Sequence, residues 1–261
     1  MNIQFYSMYP DLLLNHVPRD IKDAGGEIAI YSDLALIREY PYENSIAMLV
    51  EPRTIIPEAY EFVEAHHNEY KCIFTFDSKI LQYENAKLLL FGNTQCEYNK
   101  PKTKLISMVC SDKEFVEGHK KRKELAFSLK GLIDTYGKFD GGEFADYESV
   151  WGDYKFNVAV ENYSDGHYFT EKITNCFASR VVPIYWGCPH IGEYFNLDGI
   201  IKVDKLDSVK DIVGLVLRHG DAIYEDMKDA IEDNYKRAKK YRHFGETFFD
   251  MYSDYIKELA K

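Results

Sequence analysis

The densest group of chemistry-bearing residue types lies between Glu161 and Lys172. An apolar run from Lys155 to Val160 ends in the polar pair Glu161-Asn162, and a loop then leads to Thr170-Glu171-Lys172. Threonine is a good helix N-cap, so Glu171 and Lys172 fall in a first helical turn whose backbone N–H groups lack intrahelical partners. The dipole of such a turn favours negative charge and a lysine adds an ammonium, so together they suit a diphosphate. A carboxylate next door can accept hydrogen bonds from sugar hydroxyls. Taken locally, Thr-Glu-Lys also describes an ordinary capped helix with solvated charges, the commoner occurrence of the triplet.

Such a group needs a strand before it and a helix after it, and both patterns recur along the chain. Short apolar runs alternate with longer amphipathic stretches, which reads as α/β around mostly parallel sheet. Strands are expected at 3–6, 27–31, 45–50, 72–76 and 87–90, with a helix at 57–66 that carries Pro57 near its first turn. Apolar periodicity disappears over 92–103, where Gly, Asn, Gln, Lys and Pro crowd together. A domain boundary is placed there, giving a short first domain at 1–100 and a second at 101–261. In the second part, strands are expected at 105–110, 155–160, 181–185 and 200–203. Helices are expected at about 118–132, at 170–178 and from Leu206 to the C-terminus. Two α/β halves imply a ligand cleft at the carboxyl ends of the strands.

The formal net charge of −11 argues against nucleic acid and anionic membranes as partners, because a polyanion would approach against the field of the whole protein. The five cysteines, Cys72, Cys96, Cys110, Cys176 and Cys188, never approach CxxC spacing and lack clustered histidines that would complete a zinc site. They read as reduced thiols of a cytoplasmic protein. Neither a leader of basic-then-apolar type nor a run of about 18 apolar residues occurs, so no signal peptide or transmembrane segment is expected. His66 and His67 are helix neighbours that face different directions, and no Asp-x-Asp occurs; no metal site is expected.

The stretch from Tyr154 to Gly187 resembles the donor-binding signature of the glycosyltransferase family 10 fucosyltransferases. Phe156, Glu161, Asn162, Tyr168, Thr170, Glu171, Lys172, Pro183, Tyr185, Trp186 and Gly187 occur in the family's order. The resemblance is strongest over Tyr154 to Phe195 and traceable from Ile46 to Asp207. It implies a GT-B fold, with two Rossmann-like α/β domains facing a cleft: the first on the acceptor side, the second binding the sugar nucleotide. It also implies that Lys172 pairs with the diphosphate of GDP-fucose and Glu171 with the fucose hydroxyls. Asn162 and Tyr168 would line the donor pocket, with Glu161 and Thr170 as further pocket candidates, and His167 lies in the same loop.

Upstream, HKKRKELAFSL resembles the family's Arg-bearing helix start and places Arg122 on the diphosphate. Arginine suits phosphate through its planar fork of donors, although Lys120, Lys121 and Lys123 leave a solvated basic face as the alternative. Gly141 and Gly142 match a Gly-rich loop whose backbone could approach the nucleotide, or form a bare turn. Glu51, at the end of a strand and followed by Pro52, matches the family's catalytic base, or is a strand-end charge in solvent. Inverting transfer needs a carboxylate to take the acceptor hydroxyl's proton, and it needs no metal if Lys172, Arg122 and helix-end N–H groups stabilise the departing GDP.

The expected partners are thus a nucleotide sugar and a glycan acceptor, with no cofactor. Tyr163 departs from the family's small serine and the first domain is short, which touches the acceptor first and the sugar second. The lack of an anchoring stem resembles bacterial or viral members. The aromatic, charged tail from Asp221 onward is expected to cross back to the first domain. The rival readings are a GT-B enzyme using another nucleotide sugar, and a non-catalytic relative that binds a nucleotide sugar or glycan.

Overall fold

The computed structural model describes residues 1–38, 45–143 and 146–260. In chain order the elements are β1 (Asn2–Tyr6), α1 (Asp11–Leu14), α2 (Arg19–Asp23), β2 (Glu27–Ser32), α3 (Ala35–Arg38), β3 (Ser45–Leu49), α4 (Pro57–His66), β4 (Cys72–Thr75) and β5 (Ala86–Leu88). Next come β6 (Lys104–Val109), α5 (Glu117–Leu129), β7 (Asp134–Tyr136), a π-helical turn at Glu148–Gly152, β8 (Tyr154–Val160) and α6 (Glu171–Ala178). The chain continues through β9 (Val182–Trp186), β10 (Ile201–Lys202), α7 (Val209–Asp226), α8 (Lys228–Ala238) and α9 (Phe244–Leu259). It divides into two compact units: 1–91 with 165–168 and 242–261, and 92–164 with 169–241.

The division falls between Phe91 and Gly92 rather than at residue 100. Residues just beyond it are tied into the second unit: Thr94 N–H donates to Tyr241 O at 2.9 Å and Gln95 N–H to Asn175 Oδ1 at 2.7 Å.

In the first unit a parallel sheet has the order β1-β2-β3-β4-β5. Successive strand side chains point to opposite faces. Ile28, Ile30, Ile46, Met48, Cys72 and Phe74 therefore share one core. Tyr31, Ala47, Leu49 and Ile73 share the other, which α4 covers with Ala59, Tyr60 and Val63. The first face is covered by Leu13 of α1, Ile21 of α2, and Phe244, Phe248, Phe249 and Ile256 of α9. The last helix thus belongs to the first unit, as the family resemblance implied. Phe248 meets Phe74 edge-on at 4.9 Å, and Tyr252 donates to Leu88 O at 2.5 Å. Burying each such apolar side chain is worth about 1.5–3 kcal/mol.

In the second unit the parallel sheet has the order β10-β9-β8-β6-β7. The unit's first strand, β6, has its second, β7, on one side and its third, β8, on the other. The winding direction reverses between β6 and β8, and the carboxyl ends of those strands form a topological switch point where open α/β sheets place ligands. One face packs Ile106, Met108, Phe156, Val158 and Val160 against Leu125 and Leu129 of α5 and Val213 and Val216 of α7. The opposite face holds a buried polar chain: Asn157 Nδ2 donates to Ser107 Oγ at 2.9 Å, which donates to Val150 O in the π-helical turn at 2.7 Å.

Candidate functional site

At the switch point α5 begins after β6 and α6 begins after β8. Arg122, 7% exposed, reaches both strand ends: Nη1 donates to Val160 O at 3.4 Å and Nη2 to Ser111 Oγ at 3.5 Å. Both bonds are long, and among the described residues Nε has no hydrogen-bond partner. A buried guanidinium held this loosely keeps donors available for an anion. Arg122 is buried, whereas Lys120, Lys121 and Glu124 are exposed and Lys123 is half-buried, so Arg122 does not share the solvated face of the basic helix.

Two neighbours of Arg122 escaped the sequence reading. A Cβ on Gly118 would stand 1.8 Å from Asn162 O, so only glycine lets α5 start against the loop that follows β8. His119 is 4% exposed, with Nε2 3.3 Å from Asn162 Nδ2. Burial, then the cations Arg122, Lys113 and Lys172, push its imidazole down to about 4. His119 is therefore neutral at pH 7, and its Nε2 can accept from the Asn162 amide.

Across the switch point, Glu161 is fully buried. Thr170 donates its N–H to Glu161 Oε1 at 2.9 Å and its hydroxyl to Oε2 at 2.8 Å. Lys172 Nζ stands 2.9 Å from Thr170 Oγ1, 3.1 Å from Glu171 Oε1 and 3.3 Å from Glu161 Oε2. Thr170 also caps α6 by accepting the Lys172 N–H at 3.4 Å. The triplet is therefore part of a buried polar knot. Burial pushes the Glu161 carboxyl up, against the pull of Lys172. Burial also opposes the Lys172 charge, but Glu171 and Glu161 outweigh it and hold the ammonium above the ordinary lysine range. Glu171 is held below the usual carboxylate range because Lys172 overrides the burial that opposes its charge. Lys172 and Glu171 keep 24% and 28% of their side-chain surface exposed, so a ligand can reach this pair while Glu161 stays behind it.

Gly187 has a structural reason in the same knot. A Cβ there would lie 2.5 Å from Glu161 Cγ and 2.7 Å from the Tyr185 hydroxyl, which itself accepts the Cys188 N–H at 3.1 Å. Glu161 N–H in turn donates to Trp186 O at 2.9 Å. The Tyr185-Trp186-Gly187 turn thus makes room for a buried glutamate and holds its backbone.

In the first unit, Glu51 follows β3 and is exposed. Its N–H donates to Asp33 Oδ1 at 3.1 Å, and its carbonyl accepts the Tyr60 hydroxyl at 2.9 Å. Tyr60 is fully buried, with the Arg53 guanidinium 4.5 Å over its ring. Arg53 forks onto Asp77 at 3.0 and 3.1 Å and reaches Glu64 at 2.7 Å. The backbone under Glu51 is therefore fixed from both sides.

The other candidates make contacts of their own. Tyr168 is buried with its ring 4.7 Å from Phe76 and is grouped, with His167, in the first unit rather than with Lys172. Gly141 has a φ of +84° and nothing within 4 Å of a Cβ, in an exposed turn that Gly142 N–H closes onto Asp140 Oδ1 at 3.2 Å. Its backbone conformation accounts for that glycine. His66 and His67 stack on different rings, Phe62 and Tyr83.

Two parallel α/β units, with a switch-point site in the second and the last helix packed in the first, define a GT-B type fold. A solved α1,3-fucosyltransferase with GDP-fucose shares that fold, with a TM-score of 0.58 over 99% of this chain and 90% of that chain at 14% identity. Residues 99–227 match the family model of the glycosyltransferase family 10 (fucosyltransferase) C-terminal region. The chain therefore carries a glycosyltransferase family 10 C-terminal domain. It is 36% identical over 77 residues to the alpha-(1,3)-fucosyltransferase FucT of Helicobacter pylori, a match to 28% of this chain and 16% of that enzyme. It is 34% identical over 68 residues to an alpha-(1,4)-fucosyltransferase of Arabidopsis thaliana, covering 26% of this chain and 17% of that enzyme. Among the described residues, no helix is long and apolar enough to cross a membrane.

Proposed function

We propose that this protein is an inverting glycosyltransferase that transfers L-fucose from GDP-fucose to a hydroxyl of a glycan acceptor without a metal ion. The observation that supports this most is the reachable Lys172–Glu171 pair and the loosely held Arg122 at the switch point of a family 10 domain. Arg122, Lys172 and the first N–H groups of α6 take the diphosphate. A diphosphate there competes with Glu171 for Lys172, and the carboxylate so released accepts hydrogen bonds from fucose hydroxyls. Asn162, oriented by His119, contributes its amide to the donor.

In the transfer step the acceptor oxygen attacks the anomeric carbon as the bond from that carbon to the diphosphate oxygen breaks. Glu51 takes the acceptor's proton, and GDP leaves with the bonding electrons. The growing negative charge is met by fixed cations and backbone N–H groups, which need no reorganisation at the moment of reaction.

Thermal unfolding in EDTA with GDP, GDP-fucose, GDP-mannose and UDP-glucose tests the donor. A ligand present at a hundred times its Kd adds about 2.7 kcal/mol of stability. Stabilisation by GDP and GDP-fucose is expected. A shift with UDP-glucose alone would replace the donor, and no shift with any guanine nucleotide would overturn the reading.

A further inference from the structure

Glu51 does not stand by itself at the end of β3. Asp33 closes the neighbouring strand β2, and its Oδ1 accepts two consecutive N–H groups, Val50 at 2.8 Å and Glu51 at 3.1 Å. Ser32 donates to the other oxygen, Oδ2, at 3.1 Å, and Asp33 N–H donates to Met48 O at 3.1 Å. To make this clamp Asp33 takes a φ of +54°, in the left-handed region that is unfavourable for a residue with a Cβ. Strain of this kind persists where the surroundings over-determine it, and it clusters at functional positions.

We propose that Asp33 is the positioning residue for Glu51: its carboxylate ties down the backbone from which the base projects and sets a second negative charge beside it. This rests on the reading of Glu51 as the base. Of two neighbouring carboxyls, the second to ionise does so against the charge of the first, and once both are ionised each takes up a proton more readily than it would alone. A carboxylate that must take a proton from an alcohol works better with its proton affinity raised toward the operating pH. Burial, with the charge of Glu51 added, carries the Asp33 carboxyl up to about 6, against the hydrogen bonds from Val50, Glu51 and Ser32. Among the described residues Glu51 is the charged side chain that acts on it, since Arg53, further along the same segment, is engaged by Asp77 and Glu64.

The variant Asp33→Asn separates the two parts of the role. Folded Asp33 holds its proton more tightly than an unfolded aspartate, so its ionisation weakens the fold as pH rises from about 3.8 to about 6. Asparagine keeps an acceptor oxygen and removes that burden, so Asp33→Asn is expected to fold. Asp33→Ala removes acceptor and charge together.

The test labels aspartate side-chain carboxyls with carbon-13 and assigns Asp33 as the resonance that disappears in Asp33→Asn. In Glu51→Gln the Asp33 midpoint is expected to fall from about 6, because the neighbouring charge is gone. In Asp33→Asn the step in GDP release from GDP-fucose that follows Asp33 ionisation is expected to vanish, while the Val50 and Glu51 amides stay protected from hydrogen exchange. In Asp33→Ala that step vanishes too and those two amides exchange roughly tenfold faster. An unchanged Asp33 midpoint in Glu51→Gln, with unchanged amide exchange in Asp33→Ala, overturns the proposal. Wild-type GDP release by Glu51→Gln would overturn the base reading instead, and the midpoint then decides by itself whether the two carboxyls are paired.

Discussion

The two sheets have the same number of strands and the same parallel sense, yet they differ in order, and with it in where their chemistry collects. In the second unit the reversal between β6 and β8 opens a gap at the strand ends, and Arg122, His119, Glu161 and the start of α6 fill it as buried or half-buried groups. The order β1-β2-β3-β4-β5 contains no such reversal. The first unit instead presents an exposed Glu51 from a backbone fixed by Asp33 and Tyr60. A ligand with its own charge needs preassembled counter-charges, which a switch point can enclose. A base needs a rigid mounting and room to reach a proton, which a strand end can give without a pocket.

Each of these statements can be broken in one unit at a time. The largest effect is expected from Phe248→Ala, which empties the contact with Phe74 and costs about 3–5 kcal/mol. Denaturant unfolding measures the loss, and limited proteolysis should cut first within residues 1–91 and 242–261. Cleavage beginning in the second unit would mean that α9 does not stabilise the first sheet.

Glu51→Gln comes next: transfer from GDP-fucose is expected to fall roughly a hundredfold or more, with the Kd for GDP unchanged. A weakened Kd with normal turnover would reverse the roles of the two units. Lys172→Ala should do the opposite, weakening GDP about ten- to a hundredfold in calorimetry, because a hydrogen bond to a charged group is worth about 1.5–3 kcal/mol. Unchanged affinity would remove Lys172 from the diphosphate. The smallest effect is expected from Gly187→Ala, which presses a methyl on Glu161 Cγ and the Tyr185 hydroxyl and costs about 1–3 kcal/mol of stability. A neutral result would show that the Glu161 knot can shift.

The regular parts of both units were legible because their patterns are strong. Pro57 starts and His66 ends α4 where the sequence placed them, and the apolar runs at 45–50 and 155–160 are central strands. Asp134–Tyr136 was missed as β7 because three polar and aromatic residues at a sheet edge carry no apolar alternation. The helices α1 to α3 span four or five residues, too few to show a period. Strand order, and therefore the switch point, depends on pairings between distant segments that no local pattern encodes.

Within the site, the signature residues stood out by type, but their states did not. Glu161 reads from the sequence only as a pocket candidate, and the structure adds that Thr170 and Lys172 enclose its carboxylate. His119 was hidden among the lysines of HKKRK, although a signal was present: positions 119, 122, 126 and 129 lie on one helical face, and all are buried. Asp33 carried no signal, because neither its left-handed backbone nor its reach to Val50 and Glu51 can be read from a single aspartate.

The grouping of residues 242–261 with residues 1–91 has a consequence for biosynthesis. The second unit is inserted within the first, so a ribosome completes nearly all of it before α9 emerges. Until then Ile28, Ile30, Ile46, Met48 and Phe74 present an apolar face that only Leu13 and Ile21 of the short helices α1 and α2 partly cover, and the part of the protein made first is the part finished last. A premature stop before Phe244 should therefore damage the beginning of the chain more than its middle, and chaperone dependence during translation should track the time between β4 and α9.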